Sequence, residues 1–180
     1  MRMADMINTA IAFTFSNFTL AFFVIGLIFS AIAMVGSTPI TAAVVVEKLL
    51  AWYVFFTVGV SYLYNFIGHV FFGRETAAFI GWADSPFQFE VGTASLGFAV
   101  VGFLAAWRSF DLRLAAVIGP SIFSLGAAVG HVQQMIASHN FAPGNARVIF
   151  YTDIAIPLVG FVLLWLQWRV NRESTRAIPA

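Results

Sequence analysis

Apolar residues along the chain fall into five long runs separated by short polar breaks. The runs cover about 9–35, 40–72, 86–107, 112–138 and 147–169. Each comes close to or exceeds the roughly 20 apolar residues an α-helix needs to cross a hydrocarbon core of about 30 Å. The first, Thr9 to Val35, reaches about 40 Å at 1.5 Å per residue. A signal-peptide core has only about 7–15 apolar residues, so this run is expected to be a retained membrane helix. No linker is long enough to separate two domains. The expected fold is one all-α, polytopic transmembrane bundle of five spans over residues 1–180.

The breaks carry helix-start signals. Thr38-Pro39 reads as an N-cap followed by proline at the first helical position. Ser85-Pro86-Phe87-Gln88 has the spacing of a capping box, with Ser85 expected to cap the third span. Asp111 and Asn145 are the expected caps of the fourth and fifth spans. "RETAAFIGW" is too short to cross and reads as an interfacial turn ended by Gly81, with Trp82 in the aromatic belt. Gly126 with Gly130, and Gly92 with Ser95 and Gly97, predict close helix packing.

Composition sharpens the picture. The chain is 61% hydrophobic and only 9% charged, far too apolar to cover a water-facing surface, so its natural solvent is lipid. A net charge of +1 gives no reason to expect nucleic acid as a partner. The absence of cysteine excludes disulfides, thiolate nucleophiles, iron–sulfur clusters and c-type haem attachment. Alternation of five spans puts Arg2, Arg74 and Arg147 on one side and Lys48, Arg108, Arg113, Arg169, Arg172 and Arg176 on the other. Three against six favours the second side as cytoplasmic. The expected placement is a cell (inner) membrane, with the N-terminus external and the C-terminus cytoplasmic.

Against so apolar a background, the few polar groups inside the spans stand out. Threading five helices places His69 in the last turn of the second and Glu90 in the second turn of the third. His131 and Gln134 fall in the last two turns of the fourth, and Asp153 in the second turn of the fifth. All then sit at one end of the bundle. Tyr62, Asn65 and His69 share a helical stripe, as do Ser124, His131, Gln134 and Ser138. Ionisable groups at such depth usually face the bundle interior or a wet cavity. Two imidazoles and two carboxylates from four helices (His69, Glu90, His131 and Asp153) suit a transition metal ion, with Tyr62, Asn65 and Gln134 orienting the imidazoles.

A second cofactor reading is haem. "FIGHVFF" and "AVGHVQQ" each put a glycine before a histidine, which would leave room for a flat macrocycle between His69 and His131. The plain alternative is that these groups hydrogen-bond loop backbone and water, with Glu75 and Asp153 partnering Arg74 and Arg147. No Glu-x-x-His pair occurs, so the di-iron bundle signature is absent. Glu47 and Lys48 read as an adjacent interfacial charge pair without a functional role.

The stretch "GHVFFGRETAAFIGWADSPFQFEVG", with "GHVQQMIASHNFAPGNA" later, resembles an uncharacterised family of membrane proteins, domain of unknown function 6790. The similarity runs from about Lys48 to Leu164 and leaves out the first helix. More distantly the bundle resembles DoxX-type membrane proteins, some of which are subunits of thiosulfate:quinone oxidoreductases. The resemblance implies a helical membrane fold and brings no catalytic residues with it.

Three functions remain open at this stage. One is a metal- or cofactor-binding membrane protein using the His/carboxylate pocket. Another is an accessory subunit that binds another membrane protein or a second copy of itself through its aromatic surface. The third is a small transporter, against which the almost wholly apolar middle of each span counts.

Overall fold

The computed structural model describes Met3, Met6, Phe13, Thr14 and residues 16–176, with side chains through Glu173. Thr9, Arg2 and the Arg176 side chain, used above to place the first span and the orientation, lie outside the described residues. Five helical spans are present: Phe18–Val35, Ala42–Phe71, Phe87–Ala105, Phe110–Ser138 and Pro143–Glu173. The elements in order are α1 (Phe18–Val35), α2 (Ala42–Trp52), a π-helical segment (Tyr53–Val60) and α3 (Ser61–Phe71). They continue with α4 (Gly73–Ile80), α5 (Phe87–Ala105), α6 (Phe110–Ser138), α7 (Pro143–Ala146) and α8 (Val148–Arg176). Among the described residues there is no strand.

Within the bundle α3 packs on α5, α6 on α8, and α1 on α2 and the π segment. Backbones approach most closely where the second and third spans cross. A methyl group on Gly102 would lie 2.7 Å from the Gly59 nitrogen, so this crossing requires bare backbone. The expected Gly126 and Gly97 contacts are absent, since a methyl group on either would meet nothing within 4 Å.

Several helix starts differ from expectation. Thr38-Pro39 is a cis peptide bond, and the second span begins at Ala42 with Thr41 accepting from the Val44 N–H at 3.3 Å. α6 is preceded by Ser109, and Asp111 lies in its first turn without capping it. Ser85 makes no side-chain cap to α5; only its carbonyl accepts, from the Gln88 N–H at 3.0 Å. Near the bilayer edge water supplies the partners that a cap supplies in a soluble protein, so the capping positions are weakly constrained. α4 forms as a short helix and ends at Gly81, whose φ of 75° is open to glycine at little cost.

The two ends of the bundle differ. One, the histidine end, carries α4 and α7. The other, the arginine end, is filled: Leu50, Val54, Ala105, Ala106 and Ala116 belong to one buried cluster, whose members Val58 and Val117 border the cavity described below. Arg113 is 3% exposed there and makes a bidentate pair with Glu47, both N–O distances being 2.7 Å. Its Nε also reaches the Ala105 carbonyl at 3.4 Å. Glu47 is thus the partner of Arg113 across two spans, which corrects its reading as a local pair with Lys48.

Candidate functional site

A cavity of about 550 Å³ opens inside the bundle toward the histidine end. Its wall takes residues from all five spans, including Thr19, Thr57, Tyr62, Val91, His131 and Asp153. Along α6 the lining extends from His131 back to Val117, about 21 Å at 1.5 Å per residue, which passes the middle of that helix. Thr57, Ser61 and Ser121 therefore place hydroxyl-bearing residues in mid-span, where the sequence reads as wholly apolar. Three departures from regular α-helix meet the same space: the π segment, Pro120 and Pro157. Irregular backbone at membrane depth occurs where it lines a cavity or is buried in protein, and π segments recur at functional sites.

The histidine end is held by one hydrogen-bonded knot. Asn145 is fully buried, and both ends of its amide are used. Its Oδ1 accepts from Trp82 Nε1 at 2.9 Å and lies 2.8 Å from His131 Nδ1. Its Nδ2 donates to the carbonyls of His131 at 3.2 Å and Asn140 at 2.9 Å. Asn140 in turn donates to the carbonyls of Ile80 and Gly81 at 3.0 and 3.1 Å. The stretches "IGW" and "NFAPGN" are thereby tied to each other and to "GH" on α6. Asn145 clamps this knot; it is not the cap of the fifth span.

The knot fixes the tautomer of His131. Indole N–H can only donate, so the atom facing Trp82 must be the amide oxygen of Asn145. That oxygen can only accept, so His131 Nδ1 must carry a proton. The other ring nitrogen, Nε2, faces Asp153 Oδ2 at 3.4 Å, with side chains 6% and 12% exposed. One proton resides in that contact, either on the carboxyl or on the ring. The pair is neutral overall in both cases, the form that a low-dielectric site tolerates. At 3.4 Å it is looser than a well-formed hydrogen bond, which leaves both atoms open to a third polar group.

The other sequence-singled residues fall into place as follows. His69 is half-buried, lines the cavity, and contacts the Gln88 Oε1 atom through Nδ1. Gln88, expected as part of a capping box, serves His69 instead. Tyr62 lines the cavity, but its hydroxyl donates to the Pro120 carbonyl at 2.9 Å and lies 2.8 Å from Ser124 Oγ. Asn65 also lines it and donates to Ser95 Oγ at 2.9 Å. Gln134 is half-buried and does not line it. The imidazoles are oriented by Gln88 and Asn145, not by Tyr62, Asn65 or Gln134. Glu75 is exposed and lines an outer polar cleft with Arg74 and Asp84, a cleft that shares His69, Ser85 and Gln88 with the cavity wall.

Glu90 lies exposed in the first turn of α5 and is absent from the cavity wall. The four-residue metal set is therefore not gathered in one place. Among the described residues no three His, Asp or Glu side chains come together as a metal-holding group. Haem fares no better on geometry. The room beside Gly130 is taken by Trp82, 3.2 Å from where a methyl group would lie, and that beside Gly68 by Thr76 at 3.3 Å. His131 Nε2, the nitrogen an axial ligand needs, faces Asp153. The glycines before the histidines serve close packing.

Asn145, Trp82 and Gln88 escaped sequence reasoning as site residues because each carries a commonplace role at its position: cap, interfacial aromatic, capping box. The available signal was their place within the two unusually polar stretches.

Five apolar helices around a largely apolar cavity, with the His131–Asp153 contact in its wall, define a multi-pass helical membrane protein. More particularly, the chain belongs to the family of unknown function DUF6790, whose model matches residues 16–173. The match takes in α1, which the resemblance had left out, and α1 contributes Phe18 and Thr19 to the cavity. No curated protein and no solved structure matches the chain, so nothing bears on the more distant likeness to DoxX-type proteins.

Proposed function

We propose that the protein binds a small amphipathic molecule inside the membrane, with its polar end against His131 and Asp153 and its apolar body along the mid-span wall. The observation that carries this reading is the cavity itself. At about 550 Å³ it is the size of a small-molecule site, largely apolar with a few convergent polar groups. Well-packed interiors rarely leave such a volume unfilled. Thr57 adds support: it lines the cavity, is 3% exposed, and its hydroxyl has no hydrogen-bond partner. Such a group costs free energy unless something pairs with it.

The histidine end is the external one in this reading. Arg113 is neutralised by Glu47, which still leaves Lys48, Arg108, Arg169 and Arg172 at the other end against Arg74 and Arg147.

A second reading, carriage of the same ligand across the bilayer, is favoured by the π segment, Pro120 and Pro157 meeting at the cavity in mid-span. Transporters use irregular helices near the bilayer midplane.

Native mass spectrometry of the protein ejected from lipid nanodiscs tests binding. Wild type is expected to carry a bound mass of a few hundred daltons, on the order of a drug-sized ligand. Gly126→Phe, which projects a ring from a cavity-lining position with no atom within 4 Å, is expected to lose it. Identical spectra for the two proteins would defeat the reading.

A further inference from the structure

The charge of the ligand follows from the groups that line the pocket, given the binding reading above. Among the described lining residues there is no Lys or Arg. The ionisable groups are His69, His131, Asp153 and the phenols Tyr53 and Tyr62. Asp153 is faced by His131 from α6. The cavity lining contributed by α1 is Phe18 and Thr19, and α7 contributes Gly144, so neither adds charge near the pair. Arg74, Glu75 and Asp84 line the outer cleft, on the far side of the shared wall residues His69, Ser85 and Gln88, and none of the three lines the cavity itself. The phenols are already hydrogen-bonded, Tyr53 to the Ile156 carbonyl at 3.0 Å and Tyr62 as described.

The consequence depends on the single proton between His131 Nε2 and Asp153 Oδ2. An anionic ligand arriving here meets no Lys or Arg and no net positive charge from the pair, and it brings a second negative group beside Asp153, so burying it is costly. A neutral hydroxyl can donate to the pair without altering its charge. A cation can do something different. If an ammonium group binds the Asp153 carboxylate, the shared proton leaves to water while His131 keeps its Nδ1 proton on Asn145. One positive charge enters, one leaves, and the pocket stays neutral.

We infer that the pocket selects an amphipathic monocation, of the primary-amine class, and that its binding exchanges one proton out of the His131–Asp153 pair. Neutral alcohols of the same shape bind without proton release, and carboxylates are excluded. Aromatic side chains in the wall, Trp82, Phe79 and Phe123 among them, suit a cation further.

Titration calorimetry on protein in lipid nanodiscs, with empty nanodiscs as the blank, separates the outcomes. The probes are n-octylamine, n-octanol and n-octanoate, each in two buffers of different ionisation enthalpy. The expected result is that octylamine binds about thirtyfold more tightly than octanoate, as for loss of a buried charge pairing. About one proton should be released per octylamine, and none per octanol. Asp153→Asn, nearly the same shape, should lose the proton release and the amine preference yet still bind octanol. Should that variant fail to fold, the proton count in the wild type remains decisive. Octanoate binding as well as octylamine, or octylamine binding without proton release, would overturn the inference while leaving a binding pocket. No heat from any probe above the blank would overturn both.

Discussion

The two ends of this bundle solve the same problem in opposite ways. At the arginine end a buried cation is tightly held: Arg113, with its side chain 4% exposed, grips the partly exposed Glu47 through two 2.7 Å bonds beside an aliphatic cluster. At the histidine end the buried pair is loose, 3.4 Å apart, and faces about 550 Å³ of unfilled space. Each ionised group in a low-dielectric interior needs a partner. Arg113 has one that neutralises it through two short bonds, whereas the His131–Asp153 contact is loose enough to admit a third group. Polar groups in a membrane bundle therefore differ less by residue type than by how tightly their partners hold them.

Substitutions that break this contrast should rank by what they orphan. Glu47→Ala leaves the buried Arg113 without its carboxylate; because the Glu47 side chain is 42% exposed, water replaces part of it, and the expected cost is about 2–4 kcal/mol, read as thermal unfolding in detergent. A loss under about 1 kcal/mol would show the pair to be ordinary surface chemistry. Next comes Asn145→Leu, which removes the acceptor of both Trp82 and His131 in a site with no exposure. Two unpaired donors put the expected loss at about 2–4 kcal/mol, with a shift in the fluorescence of Trp82. Unchanged stability would mean that the knot does not order the histidine end.

Two glycine substitutions sharpen the comparison at smaller scale. Gly102→Ala forces a methyl group against the Gly59 backbone at 2.7 Å and should cost about 1–3 kcal/mol. Gly126→Ala, at the cavity, meets nothing within 4 Å and should stabilise by about 0.5–1 kcal/mol through helix propensity. Equal effects at the two positions would erase the distinction between a filled end and an open one.

Much of the fold was legible because membrane spans are read from apolar length, and all five appear where the runs lie. Helix starts were not, since Ser85, Asp111 and Asn145 carry capping chemistry that each spends elsewhere or leaves unused. The site was legible in part. His69, His131 and Asp153 were singled out because ionisable groups deep in apolar helices need a reason to be there, and all three line the cavity. Glu90 has the same sequence credentials but sits on an exposed face, because one helical turn at the bilayer edge decides between pocket and water. Gln88 and Asn145 hold the imidazoles from a neighbouring helix start and a loop. Such partners are set by tertiary approach, which period and spacing along one helix do not encode.

The mid-span space is an open pocket, while the opposite end is packed. The chain has no cysteine of its own, so a single introduced thiol reports one place. Ser124→Cys puts a thiol on the cavity wall at the middle of α6, and Val54→Cys puts one in the fully buried cluster of the π segment. Modification by methyl methanethiosulfonate in nanodiscs, followed by intact mass, compares them directly. An open pocket predicts reaction at position 124 at least about tenfold faster than at position 54, in keeping with reactivity that tracks access. Equal rates at the two positions would contradict it.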